Sequence, residues 1–248
     1  MIKTAFSFGN WHYYKSLEVL SKSLQGKVDH FFSFKESDLS ADYYKRLIEH
    51  FRSGRGFGYW VWKSEFICRL LKDAKPGEIF FYIDAGNECI SEDITKIYDR
   101  CEKDEKGIIL FDNRDASPGG SIWTNNLYTR SDCFHLMGLT DPKYIFGNQV
   151  DASYICFRKT DFSVKFFETF KQCCEVYEII ADAPNTINPI INHGFRDHRH
   201  DQSVLSLLSI HYNITTLREP SEYGNHLIGQ KDDYNQIFDH HRKRHYIY

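Results

Sequence analysis

The sequence predicts an α/β protein with a mostly parallel central sheet flanked by helices, folded as a single domain. In its first half, short apolar runs alternate with segments whose apolar residues recur at helical spacing. Parallel strands joined by crossover helices produce this alternation. The length of 248 residues suits one large α/β domain with a substantial core.

The first half divides into strands and helices at turn residues such as Gly9, Gly26 and Pro76. Ser91 is predicted to be the N-cap of one helix, because apolar residues at helical spacing follow it. In chain order we predict a strand at 3–8, a helix at 13–24, a strand at 28–34, helices at 44–51 and 60–71, a strand at 79–83, a helix after residue 91 and a strand at 108–111.

The second half is less regular. We predict helices at 131–137, 163–180 and 201–210 and a strand at 152–157. The segment 182–200 is rich in Asn, Pro and His and is predicted to be a long loop. Long loops within compact domains are often functional.

Composition narrows the class of partner. The net charge is −3 with both signs interspersed, so we expect no nucleic-acid partner. Aromatic residues make up 16% of the chain, more than a core alone usually needs, which suits stacking on base or sugar rings but equally suits a tyrosine-rich surface. The seven cysteines are odd in number and form no C-x-x-C pair, so we expect reduced thiols and a cytoplasmic protein. No window is long and apolar enough for a membrane span, so we expect any contact with a membrane to be peripheral.

Two segments of the first half carry residues suited to binding a ligand. Asp84-Ala85-Gly86 follows the strand at 79–83, and open α/β sheets bind ligands at the carboxyl ends of their strands. Glycines from Gly56 onward precede the helix that contains Lys63, and a helix N-terminus with a lysine favours anions. Trp60 in this segment is either a core anchor or a stacking platform for a base.

Carboxylates and histidines mark the second half. Asp201-Gln202 opens a predicted helix, where the aspartate is either a general base or simply the N-cap. Asp151 precedes a predicted strand and is the competing base. The cluster His240-His241-Arg242-Lys243 is either a phosphate contact or a solvated basic tail. The histidine spacings do not indicate a dedicated zinc site, because no H-E-x-x-H motif is present.

Three of these segments, Gly56–Lys63, Asp84-Ala85-Gly86 and Asp201-Gln202, together resemble nucleotide-sugar glycosyltransferases of the GT-A fold. The similarity is to small bacterial and viral enzymes that build capsule, lipopolysaccharide or glycoprotein glycans. It implies a Rossmann-like sheet in one domain spanning residues 1–248. In that domain a nucleotide-sugar half would end near residue 115, and the acceptor half would follow from about 116 to 248.

The resemblance also implies a reaction. A sugar would move from a nucleotide-diphosphate donor, such as a uridine diphosphate (UDP) sugar, to a glycan or lipid-linked saccharide in surface polysaccharide or glycoconjugate synthesis. Asp201 or Asp151 would be catalytic. The implied donor-binding residues are Phe8, Gly9, Trp60, Lys63, Asp84, Ala85, Gly86, Gln202, Arg242 and Lys243.

A divalent cation, Mn²⁺ or Mg²⁺, is the cofactor that the resemblance implies. The family holds it with an Asp-x-Asp triplet, but Gly86 stands here in place of the second aspartate, and Ser64 replaces a usual proline. The implied metal ligands are therefore Asp84, Glu88, His240 and His241. Alternatively, Asp84 holds a donor hydroxyl, while Lys63 and Arg242 neutralise the diphosphate without metal.

Other functions fit the sequence less well. A sugar-phosphate nucleotidylyltransferase should carry a basic, glycine-rich loop after its first strand, and the residues 7–11 contain neither basic side chains nor a glycine cluster. A non-catalytic glycan-binding protein would explain the aromatic residues and the incomplete Asp-x-Asp triplet. A His-Asp phosphohydrolase would need a largely helical chain.

Overall fold

The computed structural model describes residues 2–113, 123–187 and 194–241. Its strands are β1 (Lys3–Phe8), β2 (His30–Phe34), β3 (Ile79–Ile83), β4 (Glu88–Cys89), β5 (Ile108–Asp112), β6 (Tyr154–Arg158), β7 (Thr215–Arg218) and β8 (Phe238–Asp239). Six of them form one sheet in the order β2-β1-β3-β6-β5-β7, and β4 pairs with β8. Only β6 runs antiparallel to its neighbours in the described six-stranded sheet. The predicted α/β class with a mostly parallel sheet is confirmed.

Helices cover both faces of this sheet. They are α1 (Tyr14–Ser23), α2 (Ala41–Arg46), α3 (Ile48–Arg52), α4 (Gly56–Tyr59), α5 (Val61–Asp73), α6 (Ile94–Lys103), α7 (Asn125–Tyr128), α8 (Ser131–Leu136), α9 (Pro142–Ile145), α10 (Asp161–Cys174), α11 (Tyr177–Ile180) and α12 (Asp201–His211). Because side chains alternate along a strand, Phe80 packs toward α5, α10 and α12, whereas Phe81 packs toward α1 and α6. Within the described ranges, no helix is long and apolar enough to cross a membrane.

Polar residues gather at one edge of the sheet, the edge formed by the carboxyl ends of its parallel strands. Asp84 follows β3, Asp112 ends β5 and Glu219 follows β7, and all three strands run in the same direction. Because β6 is reversed, its first residue, Tyr154, pairs with Ile83 at the end of β3. The residues just before β6 therefore lie at the same edge as the residues that follow the parallel strands.

Some predicted boundaries are wrong for local reasons. The predicted helix at 44–51 is divided into α2 and α3, because Leu47 has φ −110° and ψ 29°. The predicted helix at 163–180 is divided into α10 and α11. Ser91 is not the N-cap of α6, which begins at Ile94 after Asp93; its hydroxyl instead accepts a bond from Asp93 N at 3.1 Å, closing a turn.

Candidate active site

A cleft of about 1000 Å³ opens at the polar edge of the sheet. The predicted site residues that line it are Phe8, Gly9, Trp60, Lys63, Asp84, Ala85, Gly86, Asp151, Asp201, Gln202 and His240. Glu88 and His241 are not among the described residues that line it. Arg242 and Lys243 lie outside the described residues.

Lys63 lies between two of the predicted carboxylates. Its side chain is 2% exposed, and Nζ donates to Asp201 Oδ2 at 2.6 Å and to Ala152 O at 2.9 Å. Nζ also lies 3.9 Å from Asp84 Oδ1. Burial acts to lower the pKa of Lys63, but the charges of Asp201 and Asp84 outweigh it and raise the pKa overall. Lys63 is thus a buried cation that joins α5 to α12 and to the end of β3.

Asp84 is held firmly at the tip of β3. Its carboxylate accepts a hydrogen bond from the hydroxyl of Tyr82, two residues earlier on the same face of the strand. Its backbone is fixed by Asp84 N donating to Ser153 O and by Asn87 Nδ2 donating to Asp84 O, both at 2.9 Å. The side chain of Asp84 remains 30% exposed. It can therefore meet a ligand in the cleft.

Asp201 is not the N-cap of its helix, which was the alternative to a catalytic role in the sequence analysis. It is the first residue of α12, and His200 occupies the N-cap position. The Asp201 carboxylate instead binds Lys63, and burial raises the pKa of Asp201 to about 6, against the lowering effect of the ammonium. The neighbouring Gln202 donates from Nε2 to Gln149 Oε1 at 2.7 Å. Asp201 is therefore a buried carboxylate of the cleft wall, with a pKa close to neutrality.

Asp151, Glu219 and His240 form a second buried group. Their candidate ligand atoms all lie within 4.8 Å of one another. Glu219 Oε2 accepts bonds from Ser221 N and Oγ, both at 2.9 Å. Glu219 Oε1 and His240 Nδ1 are buried and make no hydrogen bond to any residue that the structure describes.

This group fits a divalent cation. Burial and the charge of Asp151 raise the pKa of Glu219 to about 8, although its bonds to Ser221 oppose the shift. A bound cation would remove that penalty and would satisfy the two bare atoms. Two carboxylates and an imidazole suit Mn²⁺ or Mg²⁺, with the nitrogen favouring Mn²⁺. Asp84 and Glu88, which were predicted as ligands, lie outside this three-residue group.

The segment after β7 fixes Glu219. Arg218 Nη1 donates to Glu219 O at 3.2 Å, and Nη2 donates to Tyr234 O at 2.6 Å. Gly224 packs directly against the same carbonyl, since a Cβ at this position would lie 2.0 Å from Glu219 O. The carboxylate is thus placed by a close backbone contact that only glycine allows.

Sequence reasoning missed Glu219. The strand that precedes it, β7 (Thr215–Arg218), has only one large apolar residue and gives a weak strand pattern. The available signal was the same as for Asp84, a carboxylate directly after a strand and before a turn residue, here Pro220. Tyr82, which orients Asp84, was assigned only to the strand.

Comparison with protein-family models and with curated proteins found no match. Among solved structures, the glycosyltransferase involved in glycosylation of the major capsid of PBCV-1 aligns over 80% of this chain and 82% of its own, with TM-score 0.40 and 11% identity. Apo-form glycosyltransferase GlyE of Streptococcus pneumoniae TIGR4 aligns over 97% of this chain, with TM-score 0.45 and 12% identity. This chain covers 54% of that structure, about half its length. Mouse xyloside xylosyltransferase 1 aligns over 88% of this chain and 85% of its own, with TM-score 0.47 and 9% identity.

All three are glycosyltransferases, the class that the sequence motifs resemble. At TM-scores below 0.5 and identities of 9–12% these alignments do not assign a function to this chain.

Proposed function

We propose that this chain is a glycosyltransferase that moves a sugar from a nucleotide-diphosphate donor to a hydroxyl of a glycan acceptor. One observation carries the proposal: Asp151 and His240, which form a buried group with Glu219, line one cleft with the Lys63–Asp201 pair. A cation site beside a carboxylate and a buried lysine suits the departure of a diphosphate and the activation of a hydroxyl. The GT-A resemblance of the sequence supports the same reaction.

The cation would be held by Asp151, Glu219 and His240. When bound, it would offset the negative charge that develops on the leaving diphosphate. Asp84, oriented by Tyr82 and partly exposed, is placed to accept hydrogen bonds from hydroxyls of the donor. A UDP sugar with Mn²⁺ is the donor and cofactor pair that we propose to test first.

Asp201 is better suited than Asp151 to act on a reacting hydroxyl. Its pKa of about 6 is near the value at which a general base works well at neutral pH. Asp151 belongs to the proposed cation group, and its Oδ1 already accepts a bond from Ser153 N at 2.8 Å. We therefore assign Asp201 to the sugar or acceptor hydroxyl and Asp151 to the cation.

The biological setting follows from the reaction class. We propose one domain with a donor half before about residue 115 and an acceptor half after it, working on a glycan or lipid-linked saccharide in the synthesis of surface polysaccharide or glycoconjugates. All seven cysteines are free thiols, in agreement with a cytoplasmic location.

A nucleotide-sugar screen tests the function. Purified protein is mixed with UDP, GDP and CMP sugars, with Mn²⁺ or with EDTA, and thermal unfolding and nucleotide release are followed. A donor that binds the folded state raises its stability by RT ln(1 + [L]/Kd), so a true donor raises Tm and is then slowly hydrolysed or transferred. If no nucleotide sugar raises Tm or releases nucleotide with Mn²⁺ present, the proposal is wrong.

A further inference from the structure

The segment before α5 has a backbone conformation that L-amino acids rarely adopt. All five residues of Gly56–Trp60 have positive φ, at 57°, 49°, 85°, 56° and 61°. Tyr59 N donates to Arg55 O at 2.9 Å and Trp60 N donates to Gly56 O at 3.2 Å, so the chain makes one turn of left-handed helix. Left-handed turns of non-glycine residues are unfavourable and persist only where their surroundings hold them.

A second strained residue packs against this turn. His200, just before α12, has φ 53° and ψ −121°. Its ring stacks on the ring of Trp60, with centroids 5.5 Å apart and planes at 25°. His200 is 1% exposed, and its Nδ1 donates to Ile180 O at 2.7 Å. The two strained segments therefore pack against one another through this ring contact.

Each ring lies at the start of the helix that carries one half of the buried ion pair. Lys63 N donates to Trp60 O at 3.0 Å, so Lys63 sits in the turn that Trp60 begins. Asp201 follows His200 directly and is the first residue of α12. The ring contact therefore lies beside the two helix starts that bring Lys63 Nζ and Asp201 Oδ2 to 2.6 Å.

We propose that the Trp60–His200 stack is a positioning contact that holds Lys63 and Asp201 at bonding distance. In this role Trp60 and His200 act only through Lys63 and Asp201. The inference deepens the proposed function because it says what orients Asp201. The coupling itself is a property of the fold and is measured without any substrate.

The charge of Lys63 opposes the effect of burial on the pKa of Asp201. The groups that face the Asp201 carboxyl from other elements are Lys63 of α5, Tyr82 of β3, Asp84 after β3 and Cys174 of α10. Of these groups, Lys63 supplies the positive charge. Weakening its contact with Asp201 should raise the pKa of Asp201 above about 6, since burial then acts with less opposition.

Three variants separate the ring contact from general damage. Trp60→Leu removes the ring. Gly56→Ala keeps it but pushes it away, because a Cβ at Gly56 would lie 2.2 Å from an atom of the Trp60 ring. Gly54→Ala is the matched control in the same loop, since a Cβ there meets no described atom within 4 Å. If Trp60→Leu does not fold, Gly56→Ala takes its place in both measurements.

The first measurement is a double-mutant cycle on unfolding in urea, with Trp60→Leu, Asp201→Asn and the double variant. If the stack holds the ion pair, the effects of the two changes on the unfolding equilibrium constant are non-additive by at least about fivefold. If the effects of the two changes on this equilibrium constant are additive to within about twofold, the inference is overturned. The same cycle with Gly54→Ala in place of Trp60→Leu should be additive.

The second measurement follows the protonation of Asp201. The difference in unfolding free energy between each protein and its Asp201→Asn version is recorded from pH 4 to 9, and its midpoint reports the pKa of Asp201. We expect the midpoint to rise by about half a unit or more in the Trp60→Leu and Gly56→Ala proteins and to stay unchanged with Gly54→Ala. Unchanged midpoints in both ring variants would overturn the inference. Neither measurement needs a substrate. If they show the coupling but the nucleotide-sugar screen finds no donor, only the proposed function is rejected.

Discussion

Lys63 and Asp201 stand 138 positions apart in the chain, yet Lys63 Nζ lies 2.6 Å from Asp201 Oδ2 in the wall of the cleft. Both side chains are almost fully buried, so neither charge can be compensated by water if the other is removed. The pair joins the N-terminal turns of α5 and α12. Because both charges are buried in the wall of the cleft, we expect a change to either residue to alter both the stability and the activity of the protein.

Replacing Lys63 by methionine should destabilise the protein by about 3–5 kcal/mol, because the Asp201 carboxylate is then buried without its partner. Lys63→Met/Asp201→Asn should recover part of that loss, since it removes both charges. Urea unfolding of the two variants measures this difference. A loss below about 1 kcal/mol for Lys63→Met would show that the pair is not isolated from solvent.

Glu219→Gln should weaken or abolish Mn²⁺ binding while leaving the fold intact, because an amide is a poorer cation ligand than a carboxylate. The measurement is the rise of Tm on adding Mn²⁺, with isothermal titration for affinity. Glu88→Gln is the informative comparison, as Glu88 was predicted from sequence as a ligand but lies outside the buried group. If Glu88→Gln loses Mn²⁺ and Glu219→Gln keeps it, the cation site is the one implied by the sequence.

Gly224→Ala should have the same effect as Glu219→Gln without touching a ligand. Its Cβ would lie 2.0 Å from Glu219 O, so the backbone that carries the carboxylate must move. We expect a lower Tm and a smaller Tm rise with Mn²⁺, whereas Gly54→Ala should match the wild type in both. A Gly224→Ala protein with the full response to Mn²⁺ would mean that Glu219 is not a ligand.

The stability of the metal-free protein should depend on pH through Glu219. Because folding raises the pKa of this carboxyl from 4.5 to about 8, the folded state favours the protonated acid. Its contribution is complete below the unfolded pKa and is lost as the pH rises through about 8. The unfolding free energy of wild type minus that of Glu219→Gln should therefore fall between pH 5 and 9 in EDTA. Curves that stay parallel over this range would contradict the shift.

Asp201→Asn should lower kcat by about 10²–10⁴-fold, the usual contribution of a general base, while changing donor affinity little. Asp151→Asn should instead reduce the response to Mn²⁺, as expected for a cation ligand. Kinetics with the donor found in the screen, at several Mn²⁺ concentrations, separate the two effects. Full activity of Asp201→Asn, with activity lost in Asp151→Asn at saturating Mn²⁺, would reverse the two assignments.

Local patterns determined most of the fold. Apolar runs predicted β1 and β3 with their observed bounds, and turn residues separated them from the helices that follow. Asp84 could be placed at a ligand-binding edge because it directly follows a strand of a parallel sheet, and strand direction is set by the connecting helices. Signals of this kind are contained within a few neighbouring residues.

The tertiary structure decided which charges meet. Asp151, Glu219 and His240 come from three separate segments, and only the packing of β6, β7 and β8 brings their ligand atoms within 4.8 Å. Lys63 depends on packing in the same way: its place near a helix N-terminus predicts a diphosphate contact, whereas its buried bond to Asp201 became evident only in the folded chain. Sequence alone therefore determined the main strands and helices of the first half and several residues of the cleft. Long-range packing decided which charged residues are paired, because burial and the charge of a distant residue act only in the folded chain.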